Sequence, residues 1–516
     1  MKHYLLGLGL LLGAGALGGC EKYLDVNNNP NNPTTSTPNF ILPGIISNGI
    51  QTQMFTALRT PYITQYVASR TANSIGIDQY YLTNAQSTNT FNYSYFQSGG
   101  NIPGMEATAQ AEGSPYYVGA GEIMQALILA HATDMLGDVP FTEAYQGGAN
   151  FTPRYDAQQD VYASVTKLLD DGIVQMSKDP GQNKRPLYST TPSESGDILY
   201  KGDQTKWVRL AYALKAREAQ HLTKKQSYDP NAVLALCDKA FLTSADDAQI
   251  QFVPAVSPVV NSTNIFGVTR ANFGTATFST NIVKYLNGTT FPGVADPRFG
   301  VLVPTFSLGV DPGVGTGTTA NVIPGTANIT DFYASWYARD LGYFEVITYH
   351  ELKFIEAEAA YRAGNKTRAL AALKAGIAAH MRKVGGGGTF APPTVTFPII
   401  SETQIAAYLA SAAVPQTEAA LTSLRPIMEQ KYIAMFLNPD SWSDLRRLDF
   451  DPAIYVNFAY PVGANPILAA KTDPKLRYPR RLLPGATEVL YNPAEIARIG
   501  GNDPDYVTRP MWFDMP

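Results

Sequence analysis

The sequence predicts a mainly α-helical protein, a single large domain of tetratricopeptide-like helix pairs stacked as a solenoid, with long loops and a small irregular, β-containing insertion. Three observations predict this. Apolar residues recur at helical spacing over long segments. Those segments come in pairs with short turns where the pattern is clean. Strand-like runs are confined to residues 245–345. Helix pairs that stack bury a continuous core that no pair buries alone.

Residues 1–19 read as a secretory signal. Met1-Lys2-His3 is basic, Tyr4 to Leu17 is apolar or glycine, and Leu17-Gly18-Gly19-Cys20 follows. The apolar stretch is too short to span a bilayer. Small residues directly before Cys20 resemble a bacterial lipobox, which implies cleavage before Cys20 and acylation of its thiol and new amine. Each buried CH₂ contributes about 0.8 kcal/mol, so more than one acyl chain anchors a protein stably to a membrane. Residues 20–39 then form a lipidated tether rich in Asn and Pro, a composition that breaks helix and strand alike.

Residues 40–516 form the helical domain. Val118–Leu136 sets Met124, Leu127, Ile128, His131 and Met135 on one face. Asp156–Met176 opens on Asp156-x-x-Gln159, a capping-box-like start. Gln204–Leu222 follows Asp203 as N-cap and turns Trp207, Leu210, Ala211 and Leu214 inward, and Asn231–Leu242 pairs with it. Residues 245–345 hold many Gly, Pro, Thr and Asn and read as a loop-rich insertion with small strands. Helix returns in Thr348–Ala363 and Lys366–Lys383, parted by Gly364-Asn365. Gly385–Gly388 reads as a flexible break. Glu402–Ala412, Leu424–Leu437 and Trp442–Leu448 read as helices, and residues 449–516 as an irregular, Pro-rich C-terminal region.

Composition narrows the function. The 516 residues are 45% hydrophobic, which supports a buried core, and the net charge of −4 lacks the basic excess of a nucleic-acid binder. Tyr is abundant, 30 against 23 Phe and 4 Trp. A ring with an apolar face and a polar tip suits a wet binding surface. Cys20 and Cys237 are the only cysteines, too few for a disulfide framework or a Cys-based zinc site. Cys237 lies in an apolar helical run and reads as a small buried hydrophobe.

Catalytic motifs are missing: no Gly-x-x-x-x-Gly-Lys-Ser/Thr, no His-Glu-x-x-His, no Gly-x-Ser-x-Gly. His350-Glu351 meets Phe354 where a zinc protease needs its second histidine. His131 on its apolar stripe reads as a hydrogen-bonded core residue. Glu351 and Glu358 stand two turns apart, a rise of about 10.5 Å, beyond the roughly 5–9.5 Å of glycosidase pairs. They read as structural, as do Asp134 and Asp138. No cofactor and no metal set is expected.

The aromatic clusters point to binding. Tyr80 and Tyr81 follow Asp78, and Asn92, Tyr93 and Tyr95 lie in a second run that ends at Phe96. Trp336 and Tyr337 lie in the insertion. Flat rings beside Asn, Asp and Gln suit sugar rings, whose C–H faces stack and whose hydroxyls need hydrogen bonds, and peptides suit the same surface. These residues are expected to meet as two opposed walls on one side of the helical body.

Motifs along most of the chain resemble the SusD/RagB family of Bacteroidetes outer-membrane lipoproteins. They include Cys20-x-x-Tyr23-Leu24-Asp25-Val26-Asn27-x-Asn29-Pro30 after the lipobox and Thr133-Asp134-Met135-Leu136-Gly137-Asp138-Val139-Pro140-Phe141-Thr142-Glu143-Ala144. Asp197-Ile198-Leu199-Tyr200-x-Gly202-Asp203 with Lys206-Trp207, Asp296-Pro297-Arg298, and Glu351-Leu352-Lys353-Phe354-x-x-Ala357-Glu358 follow in order. Glu429-Gln430-Lys431-Tyr432 with Trp442-x-Asp444-x-Arg446-Arg447, then Pro479-Arg480-Arg481 and Trp512-Phe513-Asp514, close the series. Residues 99–115 align with nothing in the family, and Leu136 stands where an aromatic is common. The resemblance implies a non-enzymatic, cell-surface protein, lipid-anchored in the outer membrane, that captures a glycan or peptide. It further implies delivery of that cargo to a SusC-like TonB-dependent barrel, with residues 134–144, Trp207, Arg446 and Arg447 as scaffold. The alternatives are a surface glycan hydrolase, which needs a carboxylate pair in the aromatic cleft, and a ligand-free helical lid on the barrel, which needs the aromatic clusters packed inward.

Overall fold

The computed structural model describes residues 36–69, 74–191, 194–255, 262–304, 332–392 and 394–516. The signal segment, Cys20 and most of the tether lie outside the described residues. The helices used below are α1 (Pro38–Thr56), α2 (Ala85–Asn92), α3 (Ile102–Glu112), α4 (Pro115–Leu136), α5 (Gln158–Met176), α6 (Gln204–His221) and α7 (Pro230–Cys237). They continue with α8 (Tyr349–Arg362), α9 (Lys366–Val384), α10 (Glu402–Leu409), α11 (Arg425–Ala434) and α12 (Ser441–Arg447).

Successive helices pack as neighbours: α4 on α5, α5 on α6, α6 on α7, α7 on α8 and α8 on α9. Local chemistry sets the ends. Asp203 accepts the Lys206 amide at the start of α6, and Thr348 accepts the Glu351 amide at the start of α8. Gly364 turns α8 into α9 at φ +78°, a conformation a side chain would strain. One apolar core runs through the molecule from Leu42 to Val507. Burying each of its large side chains contributes about 1.5–3 kcal/mol. Trp207 is fully buried because its indole N–H finds Asp197 Oδ2 at 2.9 Å.

The stack is also laced with buried charge. Arg217 forks onto both Glu351 oxygens at 2.6 and 2.7 Å. Arg447 forks onto Glu358, its Nη1 at 2.6 Å from Oε1, while Lys431 holds Asp444 at 2.7 Å. Arg446 spends its donors on the carbonyls of Asp134 and Arg480. The two glutamates thus answer guanidiniums, a structural role, and the motif residues Trp207, Arg446 and Arg447 are all interior. His131 accepts or donates to Thr56 Oγ1 at 2.9 Å as a core residue, and Cys237 is buried with its thiol pushed up to about 12 by desolvation.

Several sequence expectations are corrected. Helix α1 begins at Pro38, inside the expected tether. The unaligned stretch 99–115 contains α3, ended by Gly113 at φ +80°. Asp156 caps no helix. It accepts the amides of Phe141 and Thr142 at 2.8 and 2.9 Å, and α5 starts at Gln158. Gly385–Gly388 is no loose break, since Gly386 opens a strand, Gly386–Phe390, paired antiparallel with Val395–Ile399. The stretch 245–345 does carry short strands, but it is no appendage. Its segment Ala276–Phe278 pairs antiparallel with Val67–Ser69, and Phe273, Phe278, Ile282 and Phe332 sit in the common core. The end of the chain closes over the stack: Leu482 donates to the Met135 carbonyl at 2.8 Å, Phe513 to Gln158 Oε1 at 3.1 Å, and Asp514 pairs with Arg480 at 3.0 Å.

Candidate functional site

The pairing of 67–69 with 276–278 decides which loops meet. It lays the segment before the first aromatic cluster beside residues 262–275, and Ser74 Oγ fixes the join by donating to the Thr275 carbonyl at 2.8 Å. Rings then continue across it. Tyr62 stacks on Phe273 with centroids 6.2 Å apart, and Phe273 stacks on Phe332 at 4.6 Å. Asn264 ties the same loop to the second cluster, its amide donating to the carbonyls of Tyr337 and Arg339 at 2.6 and 2.8 Å. Thr269 donates to Asp340. On the other side Arg270 lies within electrostatic reach of Tyr93, whose ring packs on Phe55 at 4.9 Å. Loop 262–275 therefore stands between Tyr93 and the Tyr337–Arg339 segment.

The individual residues divide. Tyr81 is 44% exposed, Tyr93 is half-buried and Phe96 is 76% exposed. Asn92 Oδ1 accepts from Thr487 at 3.3 Å. Tyr95 is half-buried against Phe91 at 4.4 Å, and burial raises its hydroxyl well above the usual phenol range. Tyr80 faces inward. It is fully buried at φ +66°, with its ring edge-on to Tyr460 and Tyr478. Trp336 and Tyr337 also turn inward, each 5% exposed. Arg339 lies 3.8 Å over the Trp336 ring, and the Tyr337 hydroxyl reaches Glu345 at 3.2 Å and His380 at 3.3 Å. The opposed wall expected of Trp336 and Tyr337 is thus corrected. The short segment 332–338 gains more by burying its rings among Phe273, Phe278 and Phe436 than by presenting them.

What this face presents instead is guanidinium. Arg339 lies between Trp336 and Phe390, 4.6 Å from the second ring, beside a cavity of about 50 Å³ lined by Tyr333, Asp340, Phe390 and Pro392. Desolvation lowers Arg339 to about 10. Neither Arg270 nor Arg339 stands out in the sequence, where each is one basic residue in a loop. Larger hollows lie elsewhere: about 490 Å³ between residues 410–416 and Arg425, and about 330 Å³ between Gln110 and Gln175.

Two carboxylate groupings bear on catalysis and metal binding. Glu106 is pushed up to about 8 by burial and by Glu122, and Glu122 to about 7 by burial and Asp171. The pair lines none of the cavities above. Asp134, Glu218 and His221 form a buried set able to hold a cation. His221 Nδ1 stands 3.2 Å from Asp134 and 3.5 Å from Glu218, and Nε2 stands 3.2 Å from Asp440. Burial opposes the imidazolium, but Asp440, Asp134 and Glu218 outweigh it and hold His221 protonated well above its usual range. The ring supplies the positive charge itself.

A family described as "Starch-binding associating with outer membrane", SusD-like, matches residues 30–463. No curated protein matches. Among solved structures, a SusD/RagB family protein of Bacteroides thetaiotaomicron is 22% identical with a TM-score of 0.70, over 93% of this chain and 99% of its own. A protein named as chitin-binding is 20% identical with a TM-score of 0.71, over 93% of this chain and all of its own. A chitin-binding SusD homologue of Flavobacterium johnsoniae is 19% identical with a TM-score of 0.70, over 93% and 97%. At these identities the likeness speaks for the fold. No helix among the described residues is long and apolar enough to cross a membrane.

Proposed function

Because the chain belongs to the SusD-like family, we propose that it is a cell-surface lipoprotein that captures an oligosaccharide and passes it to a SusC-like TonB-dependent barrel in the outer membrane. In this reading residues 1–19 are removed, Cys20 carries the acyl anchor, residues 21–37 tether the body, and no chemistry is done on the cargo. The observation that carries the binding half is the meeting of Tyr93, Arg270 and Arg339 at one bridging loop, with Tyr81 and Phe96 exposed in the chain segments on either side of Tyr93. Exposed rings stack on sugar faces, and guanidinium donors orient substituents. Chitin is what two structural relatives are named for, which supports a glycan over a peptide. A protein that must release its cargo is expected to bind in roughly the micromolar to millimolar range.

The test is glycan-array and peptide-library binding with the 21–516 fragment, followed by calorimetry on hits. Glycan hits lost in Tyr81→Ala or Tyr93→Ala support the reading, and peptide hits alone would overturn the cargo class. The inward turn of Tyr80, Trp336 and Tyr337 favours a second reading, a ligand-free lid on the barrel. It predicts an empty array alongside a stable complex with the barrel, burying well over 1,000 Å². Cys20→Ala should release the full chain from membranes, as fractionation would show, while the 21–516 fragment, which lacks Cys20, binds its glycan unaided.

A further inference from the structure

Buried cations in the helix stack are answered from within. Arg217, Arg447 and Arg480 each meet a carboxylate, and Arg446 meets carbonyls. The loop face breaks this pattern at three half-buried positions, Arg59, Arg270 and Arg339, of which Arg339 donates its Nε alone, to the Trp336 carbonyl at 2.8 Å. None has a carboxylate within ion-pair distance among the described residues. Arg270 Nη1 and Arg339 Nη2 are shut off from solvent with no hydrogen-bond acceptor. Acids nearby are already engaged: Asp340 takes Thr269, Asp78 takes the Ser69 amide at 3.1 Å, and Glu345 pairs with Lys383 at 3.0 Å. The three are linked in space. Arg59 lies within electrostatic reach of Tyr62, which stacks on Phe273 of the bridging loop. Arg270 is on that loop, and its neighbour Thr269 bonds the residue next to Arg339.

A guanidinium partly stripped of water and facing aromatic walls without an anion is costly, and the fork is built for an oxyanion. Stacking rings beside such forks fit a sugar that carries a charged group. We infer that the cargo is an acidic glycan, whose carboxylate or sulfate ester is gripped by Arg270 and Arg339 while its ring lies against the neighbouring aromatics. This rests on the glycan-capture reading and sharpens it, because starch and chitin carry no such charge.

The test is calorimetry of the 21–516 fragment with matched pairs: oligogalacturonides and their methyl esters, and sulfated galactan oligosaccharides with their desulfated counterparts. Neutral malto- and chito-oligosaccharides complete the panel. At least one charged member should bind tenfold or more above its neutral counterpart and weaken as salt rises. Which pair responds separates carboxylate from sulfate. Arg270→Gln should lose at least tenfold for the charged member and less than twofold for the neutral one, with an unchanged melting temperature. Arg339→Lys, which keeps the charge and loses the fork, should fall between. Neutral glycans binding as well as charged ones would overturn the acidic assignment and leave glycan capture standing. No glycan binding at all would overturn both.

Discussion

The helix stack and the loop face treat charge in opposite ways. In the stack Arg447 is wholly interior and forks onto an equally interior Glu358, with Asp444 and Lys431 completing the set. On the face Arg270 and Arg339 keep donors that nothing in the described chain accepts. Taking an ion out of water costs several kcal/mol unless a partner repays it. A region that repays the cost internally is built to hold shape. A region that leaves it unpaid is built to meet something from outside.

The comparison breaks hardest at Arg447. Arg447→Ala leaves Glu358 buried without its main partner and should cost about 3–5 kcal/mol of stability in urea unfolding. A loss below about 1 kcal/mol would show that the network is ornamental and the contrast false. Trp336 should side with the stack despite its place in the loops. Trp336→Ala should cost about 3 kcal/mol or more through the cavity it leaves, measured by the same unfolding curve.

Acid should reveal the third effect. Burial lowers His131 from 6.5 to about 4 in the folded protein. The unfolded chain therefore takes up the proton first as pH falls. Stability from this residue is intact above pH 6.5, declines between 6.5 and 4, and levels off below. The decline is at most about 3 kcal/mol. His131→Gln should lose stability less steeply than the parent over that window, as paired melts at pH 7.5 and 4.5 would reveal. Smallest of all, Arg270→Gln and Phe96→Ala should shift folding by no more than about 0.5 kcal/mol. A large loss for Arg270→Gln would mean that the face, too, holds shape with its cations.

The stack was legible because its signals are local. Asp203 and Thr348 cap the helices they precede, and Trp207 and Leu210 face inward at the spacing that announces them. Helix α1 was not, because its buried residues run from Thr52 and Ile45 through Leu42 and Ile46 round to Ile50 and Met54, over so much of its surface that no single stripe stands out. Helix α3, whose face is largely Ala and polar residues, offers little contrast either. The aromatic clusters were visible as composition, but their direction is set at long range. Tyr80 turns inward because Tyr460 and Tyr478 receive it, while Tyr81, one residue on, has no such host and stays out. The pairing of 67–69 with 276–278, which assembles the face, leaves no mark in either segment alone.

The closing strap at the end of the chain has a consequence for how the protein is made. Phe513, Asp514 and Leu482 fasten onto Gln158, Arg480 and Met135, and Gln65 bonds Ala459 across nearly four hundred residues. A nascent chain emerging N-terminus first has α4 and α5 ready long before their last partners exist, and contacts of such sequence separation form slowly. Until Met511 and Phe513 emerge, the apolar edge around Tyr162 waits uncovered. The α5 side of the stack is covered only when residues 511–514 arrive, so nascent chains arrested short of residue 510 should remain protease-sensitive in α5 even though every residue of that helix has been made.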